Sequence, residues 1–210
     1  MSIYTMGIDV GSTASKCVIL KDGSEIVAKS LVAVGTGTSG PSRAIAQVLE
    51  NAGMTREQMD FVLATGYGRN SLDGLADMQM SELSCHAKGA AFLFPNVRTV
   101  VDIGGQDVKV IEIENGMMKN FVMNDKCAAG TGRFYEAMAR SFEMSLPEFS
   151  NLSLTAKNVI PITAQCTVFA ESEVITLVGE GKPMDEIAAG IQMAVAKRCF
   201  VMSKKAGATD

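Results

Sequence analysis

The chain has 210 residues, of which 47% are hydrophobic and 20% charged, a composition typical of a globular protein with one large or two small domains. Its formal net charge is -4 at pH 7 and it contains no basic block, which argues against a nucleic-acid-binding or anionic-membrane surface. The N-terminus lacks a signal-peptide pattern, and no apolar run is long enough to span a bilayer. We therefore expect a soluble, cytoplasmic protein that binds neither nucleic acid nor membranes.

Two of the five cysteines stand out by their position. Cys127 and Cys166 each precede a helical pattern, and the free N–H groups at a helix start favour a thiolate over a thiol. From the residues alone, core packing and metal binding are equally open for this pair. We interpret the remaining three as structural residues, and no two of the five form a C-x-x-C pair. Those three are Cys17, Cys85 and Cys199.

The first segments predict an antiparallel three-stranded meander. Residues 3–8, 17–20 and 25–34 are expected to be its strands. Asp22-Gly23 is a hairpin signal between the second and third strands. The loop 9–16, which joins the first two strands, is rich in glycine, serine and threonine.

A helix and a short strand follow the meander. Pro41 stands at a plausible first helical position, and the apolar residues behind it recur at helical spacing until Gly53. Residues 61–64 predict a strand that ends in a glycine-rich loop at 65–69. Residues 81–93 predict a second helix.

The same pattern then begins again. The strand at 99–101 runs into a loop at 102–109, in which an aspartate and a lysine are seven positions apart, as in the loop 9–16. Asn115-Gly116 supplies the matching hairpin turn. We predict a duplicated β-β-β-α-β-α unit, with subdomains at 1–95 and 96–210 and both loops facing one cleft.

The second half continues with the two cysteine stretches. A helix is expected at 134–140 behind Cys127, and a strand at 158–163 ahead of Cys166. Two more helices are expected at 170–178 and from Pro183 onward.

The paired loops have the chemistry of a nucleotide site. Their N–H and hydroxyl groups can donate to phosphate, Lys16 can neutralise it, and Asp9 and Asp102 suit Mg²⁺ with its waters. No P-loop signature occurs, and two matched copies are stronger evidence than one loop. The candidate catalytic residues are Asp9, Asp102 and Gln106. The candidate nucleotide-binding residues are Gly11, Ser12, Thr13, Ala14, Ser15, Lys16, Gly104, Gly105, Gln106 and Asp107.

At this point the residues carry a family resemblance. The loops resemble the phosphate loops of the actin, Hsp70 and sugar-kinase superfamily. Three motifs are similar to those of the ATP-dependent activators of 2-hydroxyacyl-CoA dehydratases, the BadF/BadG/BcrA/BcrD-type ATPases. They are DIGGQD at 102–107, MNDKCAAGTGRF at 123–134 and CTVFAESE at 166–173. The resemblance covers most of the chain.

The resemblance implies a fold and a function. The fold is a pair of actin-like, ribonuclease H-like α/β domains with an interdomain cleft for ATP or ADP and Mg²⁺. The function is ATP hydrolysis coupled to one-electron transfer into a 2-hydroxyacyl-CoA dehydratase, in an anaerobic setting, from a reductant such as ferredoxin or flavodoxin. The electron carrier is one [4Fe–4S] cluster shared by a homodimer, with Cys127 and Cys166 of each subunit as metal ligands.

Family members usually continue beyond this point, with a Gly-Gly strand-turn that holds the adenosine and with a final helix. This sequence ends at Asp210, before either feature. Either the chain is truncated or this part is absent, so we expect the second subdomain as given to lack its C-terminal part and the nucleotide affinity to be affected.

Two other functions are alternatives for a sequence of this kind. A small-molecule kinase of the same superfamily would need an acceptor pocket, for which no insertion is evident, and would have no use for the two cysteines. A nucleotide or iron–sulfur sensor would bind ATP without turning it over. Assays of phosphorylated product and of free phosphate separate these functions.

Overall fold

The computed structural model describes the chain at residues 1–72, 74–124, 126–163 and 166–208. Residues 125, 164 and 165, which belong to the two cysteine stretches, lie outside the described residues. By its internal contacts the chain divides into two units, Met1–Gly89 and Ala90–Asp210.

The first unit contains a mixed sheet of five strands. They are β1 (Tyr4–Val10), β2 (Ser15–Lys21), β3 (Glu25–Val32), β4 (Phe61–Thr65) and β5 (Met78–Gln79). Their order across the sheet is β3-β2-β1-β4-β5. The first three strands are antiparallel, as the sequence predicts, and β4 and β5 run parallel to β1.

One helix, α1 (Gly40–Ala52), covers this sheet. Pro41 lies in its first turn, and Gly53 ends it in the left-handed conformation with φ 62°. The buried face of β1 packs with Ala44 and Val48 of α1 in one apolar core, because alternate strand residues point to the same side. This core holds in place the ends of β1 and β2, which the loop 9–16 joins.

The second unit combines a three-stranded sheet with a group of helices. Its strands, in sheet order, are β6 (Thr99–Ile103), β7 (Val108–Glu114) and β8 (Met117–Asn124). The boundary between the two units falls within helix α2 (Glu82–Leu93). The helices after the sheet are α3 (Gly132–Ser141), α4 (Leu146–Ser153), α5 (Thr167–Gly179) and α6 (Met184–Ala206). Among the described residues, no helix combines the length and the apolar character that crossing a membrane requires.

The duplication predicted from the aspartate–lysine spacing is visible in the strand register. Asp9 pairs with Lys16 across β1 and β2, and Asp102 pairs with Lys109 across β6 and β7. A step of seven therefore places the two side chains directly opposite each other in both hairpins. Each Lys Nζ lies within ion-pair distance of the Asp carboxylate.

Both predicted hairpin turns are formed. Asp22 and Asn115 each have φ 52°, and the glycine that follows each has φ 73°, which glycine adopts without steric cost. The register shifts between Ile19 and Leu20 in one meander and between Glu112 and Ile113 in the other. These shifts stand at equivalent positions of the repeat, so the bulge is duplicated together with the turn.

The strand predicted at 158–163 is wrong. Within the described residues, this segment has no regular secondary structure and pairs with no strand. The Ile160 N–H donates to the carbonyl of Glu186 at 3.2 Å, and the Thr163 N–H donates to the carboxylate of Glu173 at 3.0 Å. Residues of α6 and α5 therefore satisfy these backbone groups. Gly190 lets α6 approach the Ile160 carbonyl more closely than a Cβ would allow.

The sequence analysis also missed α4. A capping box precedes it, in which Ser145 and Glu148 satisfy each other's backbone N–H groups, and Pro147 lies in its first turn. The pattern S-x-x-E before an apolar stretch is a helix-start signal that could have revealed it.

Candidate functional site

The loop 9–16 is a tight, partly exposed turn at the end of β1. The Gly11 N–H donates to the Ala14 carbonyl at 3.0 Å, and the Gly11 carbonyl accepts from the Thr36 N–H at 2.9 Å. Lys16 Nζ lies 2.9 Å from Asp9 Oδ2, and 42% of the lysine side chain is exposed. The ammonium group is therefore within reach of a ligand in solution.

Ser15 differs from the other predicted loop residues. Its side chain is fully buried and its hydroxyl donates to the carbonyl of Val34 at 2.9 Å. The Ser15 hydroxyl, which we assigned to phosphate binding, therefore already donates its hydrogen bond to the Val34 carbonyl. The residues between β1 and β2, which are Gly11, Ser12, Thr13 and Ala14, are partly exposed.

The glycine-rich loop after β4 lies directly against Asp9. A Cβ added to Gly66 would stand 2.3 Å from Asp9 Oδ1, and Gly66 has φ 90°. The Gly68 N–H donates to the Val10 carbonyl at 2.8 Å. Gly66 therefore allows a backbone approach to the candidate Mg²⁺ carboxylate that a side chain would block.

We expect Gly66→Ala to displace Asp9 and to lower ATP hydrolysis about tenfold or more, because a misplaced catalytic group costs at least one order of magnitude in rate. The control is Gly23→Ala, which places alanine at φ 73° with no neighbour within 4 Å of the new Cβ. That variant has the backbone strain of about 1–2 kcal/mol without the clash. Equal phosphate release by both variants in a steady-state assay would contradict the role of the close approach.

The second loop repeats the geometry of the first with a buried cation. The Gly104 N–H donates to the Asp107 carbonyl at 2.9 Å. Lys109 Nζ lies 2.6 Å from Asp107 Oδ1 and 3.4 Å from Asp102 Oδ2, with only 5% of its side chain exposed. Lys109 therefore holds two loop carboxylates in place, whereas the exposed Lys16 is free to reach a ligand. Between β6 and β7, Gln106 is exposed.

The second loop is hydrogen-bonded to the start of α3. The N–H groups of Gly132 and Arg133 donate to the carbonyls of Gly104 and Gly105 at 2.8 and 3.0 Å. Thr131 caps α3, and its hydroxyl also donates to the Ala128 carbonyl at 2.6 Å. A continuous set of hydrogen bonds thus joins the predicted phosphate loop to the segment that carries Cys127.

Cys127 precedes α3, as the sequence predicts, but it is not the cap residue of that helix. It lies in a turn before the cap Thr131, because Gly130 adopts φ 84° and delays the helix start to Gly132. The pKa of the Cys127 thiol is nevertheless held below its usual value, first by the Ala129 backbone N–H and, against burial, by Arg198. A turn amide and a guanidinium therefore take the place of the expected helix dipole.

Cys166 is the N-cap residue of α5, as the sequence predicts, and it is exposed. Its neighbour Thr167 has a buried hydroxyl oxygen with no hydrogen-bond partner. An unsatisfied hydroxyl beside an exposed thiol is chemically suited to donate to a ligand that carries negative charge.

The two cysteines line one cavity of about 860 Å³. Its walls come mainly from the end of β8 and the turn after it, from the segment that leads into α5 and from one face of α6. Arg198 on that face was missed by the sequence analysis, although an arginine among the apolar residues of a helix is a signal worth testing. Within the described part of the chain, no group of three or more His, Cys, Asp and Glu side chains could hold a metal ion.

The family is decided by the match to a family model. Residues 6–210 match the model of the BadF/BadG/BcrA/BcrD ATPase family. The chain belongs to this family. Its fold is the mixed α/β fold of the actin-like ATPases, as the sequence predicts.

Relatives of this ATPase family are similar over nearly the whole chain. The (R)-2-hydroxyglutaryl-CoA dehydratase activating ATPase of Acidaminococcus fermentans is 63% identical over 99% of this chain and 80% of its own. The crystal structure of component A of that dehydratase superposes with a TM-score of 0.95, at 62% identity, over 99% of this chain and 80% of the other. The structure of the 2-hydroxyisocaproyl-CoA dehydratase activator from Clostridium difficile, with bound ADPNP, superposes with a TM-score of 0.93 at 50% identity. The match covers 99% of this chain and 77% of the other.

The residues present fit the cluster that the family resemblance implies. Cys127 and Cys166 open into the same cavity, and iron–sulfur clusters in proteins are held by cysteine thiolates. The lowered pKa of Cys127 favours negative charge on this wall. The donor set is therefore appropriate for iron.

Proposed function

We propose that the chain is an ATP-dependent activator that passes single electrons to a 2-hydroxyacyl-CoA dehydratase. Two solved or curated relatives named as activators of such dehydratases support this function. The observation that carries it is the pair of hydrogen bonds from Gly132 and Arg133 to Gly104 and Gly105. These bonds connect a nucleotide loop to a cysteine site within one unit, which an ATPase that drives electron transfer requires.

The nucleotide is assigned to the two loops. The N–H groups of the loop 9–16 and the ammonium of Lys16 would bind the phosphates, and Asp9 and Asp102 would hold Mg²⁺ through its waters. The partly exposed carboxylates, at 29% of each side chain, are consistent with contact to a hydrated ion. Bound ADPNP in the activator from Clostridium difficile supports binding of ATP and ADP.

The iron site is assigned to Cys127 and Cys166. A bound [4Fe–4S] cluster would supply a one-electron carrier. Four thiolates are the usual ligand set, so we propose that a second copy contributes the same two cysteines in a homodimer. Ferredoxin or flavodoxin in an anaerobic cytoplasm is the proposed source of electrons.

The hydrogen bonds between the loop and α3 suggest how the two sites are coupled. A shift of Gly104 and Gly105 on nucleotide binding must either break two backbone hydrogen bonds or move the start of α3. Each such bond is worth about 0.5–1.5 kcal/mol, and an N–H left unsatisfied costs more. Moving α3 together with Thr131 and the Ala128 carbonyl is the easier response, and it repositions Cys127.

The function is tested by anaerobic mixing of the reduced, iron-loaded protein with 2-hydroxyglutaryl-CoA dehydratase. We expect electron transfer, followed by absorption and EPR, to need MgATP and to fail with MgADP. Free phosphate should be released without a phosphorylated small molecule. Equal transfer without nucleotide would contradict coupling, and a phosphorylated product would instead favour the kinase.

A further inference from the structure

Arg198 of α6 contacts the Cys127 turn in two places. Its Nη1 donates to the Ala129 carbonyl at 2.9 Å and lies 3.9 Å from Cys127 Sγ. The side chain also passes close to Gly130, where a Cβ would stand 3.4 Å from Arg198 Cδ. The guanidinium is thus seated in the turn.

The turn is held from its other side by β8. Asn124 Nδ2 donates to the Cys127 carbonyl at 3.0 Å. The far end of α6 packs on the sheet, because Met202 and Ala206 share an apolar core with Val108 and Val110 of β7. Arg198 therefore projects from a helix that is itself anchored, and this anchoring gives the contact a defined geometry.

Other cations near the cavity do not reproduce this contact. Lys197 and Lys205 line the same cavity on α6. Among the described residues, Arg198 supplies the cationic contact that the structure gives to Cys127 Sγ. A planar guanidinium can engage a carbonyl oxygen and a sulfur at once, which the ammonium group of a lysine does less well.

We propose that Arg198 is the positioning residue of the iron site: it fixes the Cys127 thiolate and favours the reduced state by placing a positive charge beside it. This inference rests on the proposed function, because it needs iron at Cys127. Reduction adds one negative charge, so a nearby cation raises the reduction potential, and its removal lowers the potential.

The test compares Arg198→Met, Arg198→Lys and the control Lys197→Met, each loaded with iron without oxygen. Iron per chain and the midpoint potential, from an EPR-monitored redox titration, are measured for each protein. We expect Arg198→Met to shift the redox equilibrium roughly tenfold towards the oxidised state, about 59 mV more negative for one electron. Arg198→Lys should recover most of the shift, and Lys197→Met should match the wild type.

The outcomes separate this inference from the function on which it rests. A wild-type protein that takes up no iron would overturn the iron site and the inference with it. An iron-loaded Arg198→Met protein with the wild-type potential and iron content would overturn the inference alone. If Lys197→Met shifted the midpoint potential as much as Arg198→Met, the effect would come from any positive charge near the cavity. That result would also refute the specific role of Arg198. If Arg198→Met does not fold, Arg198→Gln replaces it.

Discussion

Lys16→Ala is expected to lower ATP turnover by about 10²–10³-fold, the effect of removing one preorganised donor from a developing charge. The lysine side chain is 42% exposed and pairs with Asp9 at 2.9 Å, so its loss leaves no buried charge unpaired. The fold should therefore survive, and circular dichroism should match the wild type. The measurement is phosphate release under saturating MgATP.

The matched control is Lys21→Ala. Lys21 lies on the same strand, and its ammonium stands 3.6 Å from Glu25, away from the loop 9–16. Exposed pairs of this kind contribute about 0–1 kcal/mol to stability, so turnover should be unchanged. Wild-type turnover in Lys16→Ala, or an equal loss in both variants, would reject the phosphate-loop assignment.

Asp102→Ala should also abolish turnover, with a structural component that the sequence did not predict. Asp102 and Asp107 both face the buried ammonium of Lys109. Loss of Asp102 leaves Asp107 in contact with Lys109, so the loop should persist with altered geometry. Asp102→Asn keeps the shape and removes the charge; activity near that of the wild type in this variant would exclude a Mg²⁺ role for the carboxylate.

The features that could be predicted from the sequence are those that local chemistry dictates. Asp22-Gly23 and Asn115-Gly116 form turns because left-handed φ angles suit these residues, and Gly53 ends α1 for the same reason. The aspartate–lysine spacing of seven marks the repeat in the sequence, and both hairpins place this pair directly opposite each other across two strands. The repeat therefore follows from short-range rules.

The features that could not be predicted depend on distant partners. Whether Lys16 or Lys109 is buried is decided by packing, since both follow an aspartate at the same spacing. Likewise, the segment 158–163 has a strand-like composition, but its backbone N–H groups are satisfied by α6 and by Glu173. The contact of Arg198 with Cys127 joins residues 71 positions apart, which no local pattern encodes.

Cys127→Ser and Cys166→Ser are each expected to abolish iron binding. The unsubstituted protein, purified without oxygen, should carry about two irons per chain, because a cluster of four irons shared by two chains assigns two to each. Serine is similar in size to cysteine but is a poor ligand for iron. The Cys127 sulfur accepts a backbone N–H and contacts Arg198, and both contacts favour the thiolate that iron needs. Iron content and the absorption spectrum are the measurements.

The control for this loss is Cys85→Ser, in which a partly buried cysteine of α2 is replaced. Cys85 does not line the cavity that holds Cys127 and Cys166, so iron content should stay at the wild-type value. Sedimentation should show the iron-loaded protein as a dimer and both cluster-site variants with weakened association, because shared ligation contributes to the contact. A full complement of four irons on a monomer would refute shared ligation, and retention of iron by Cys127→Ser would remove that residue from the ligand set.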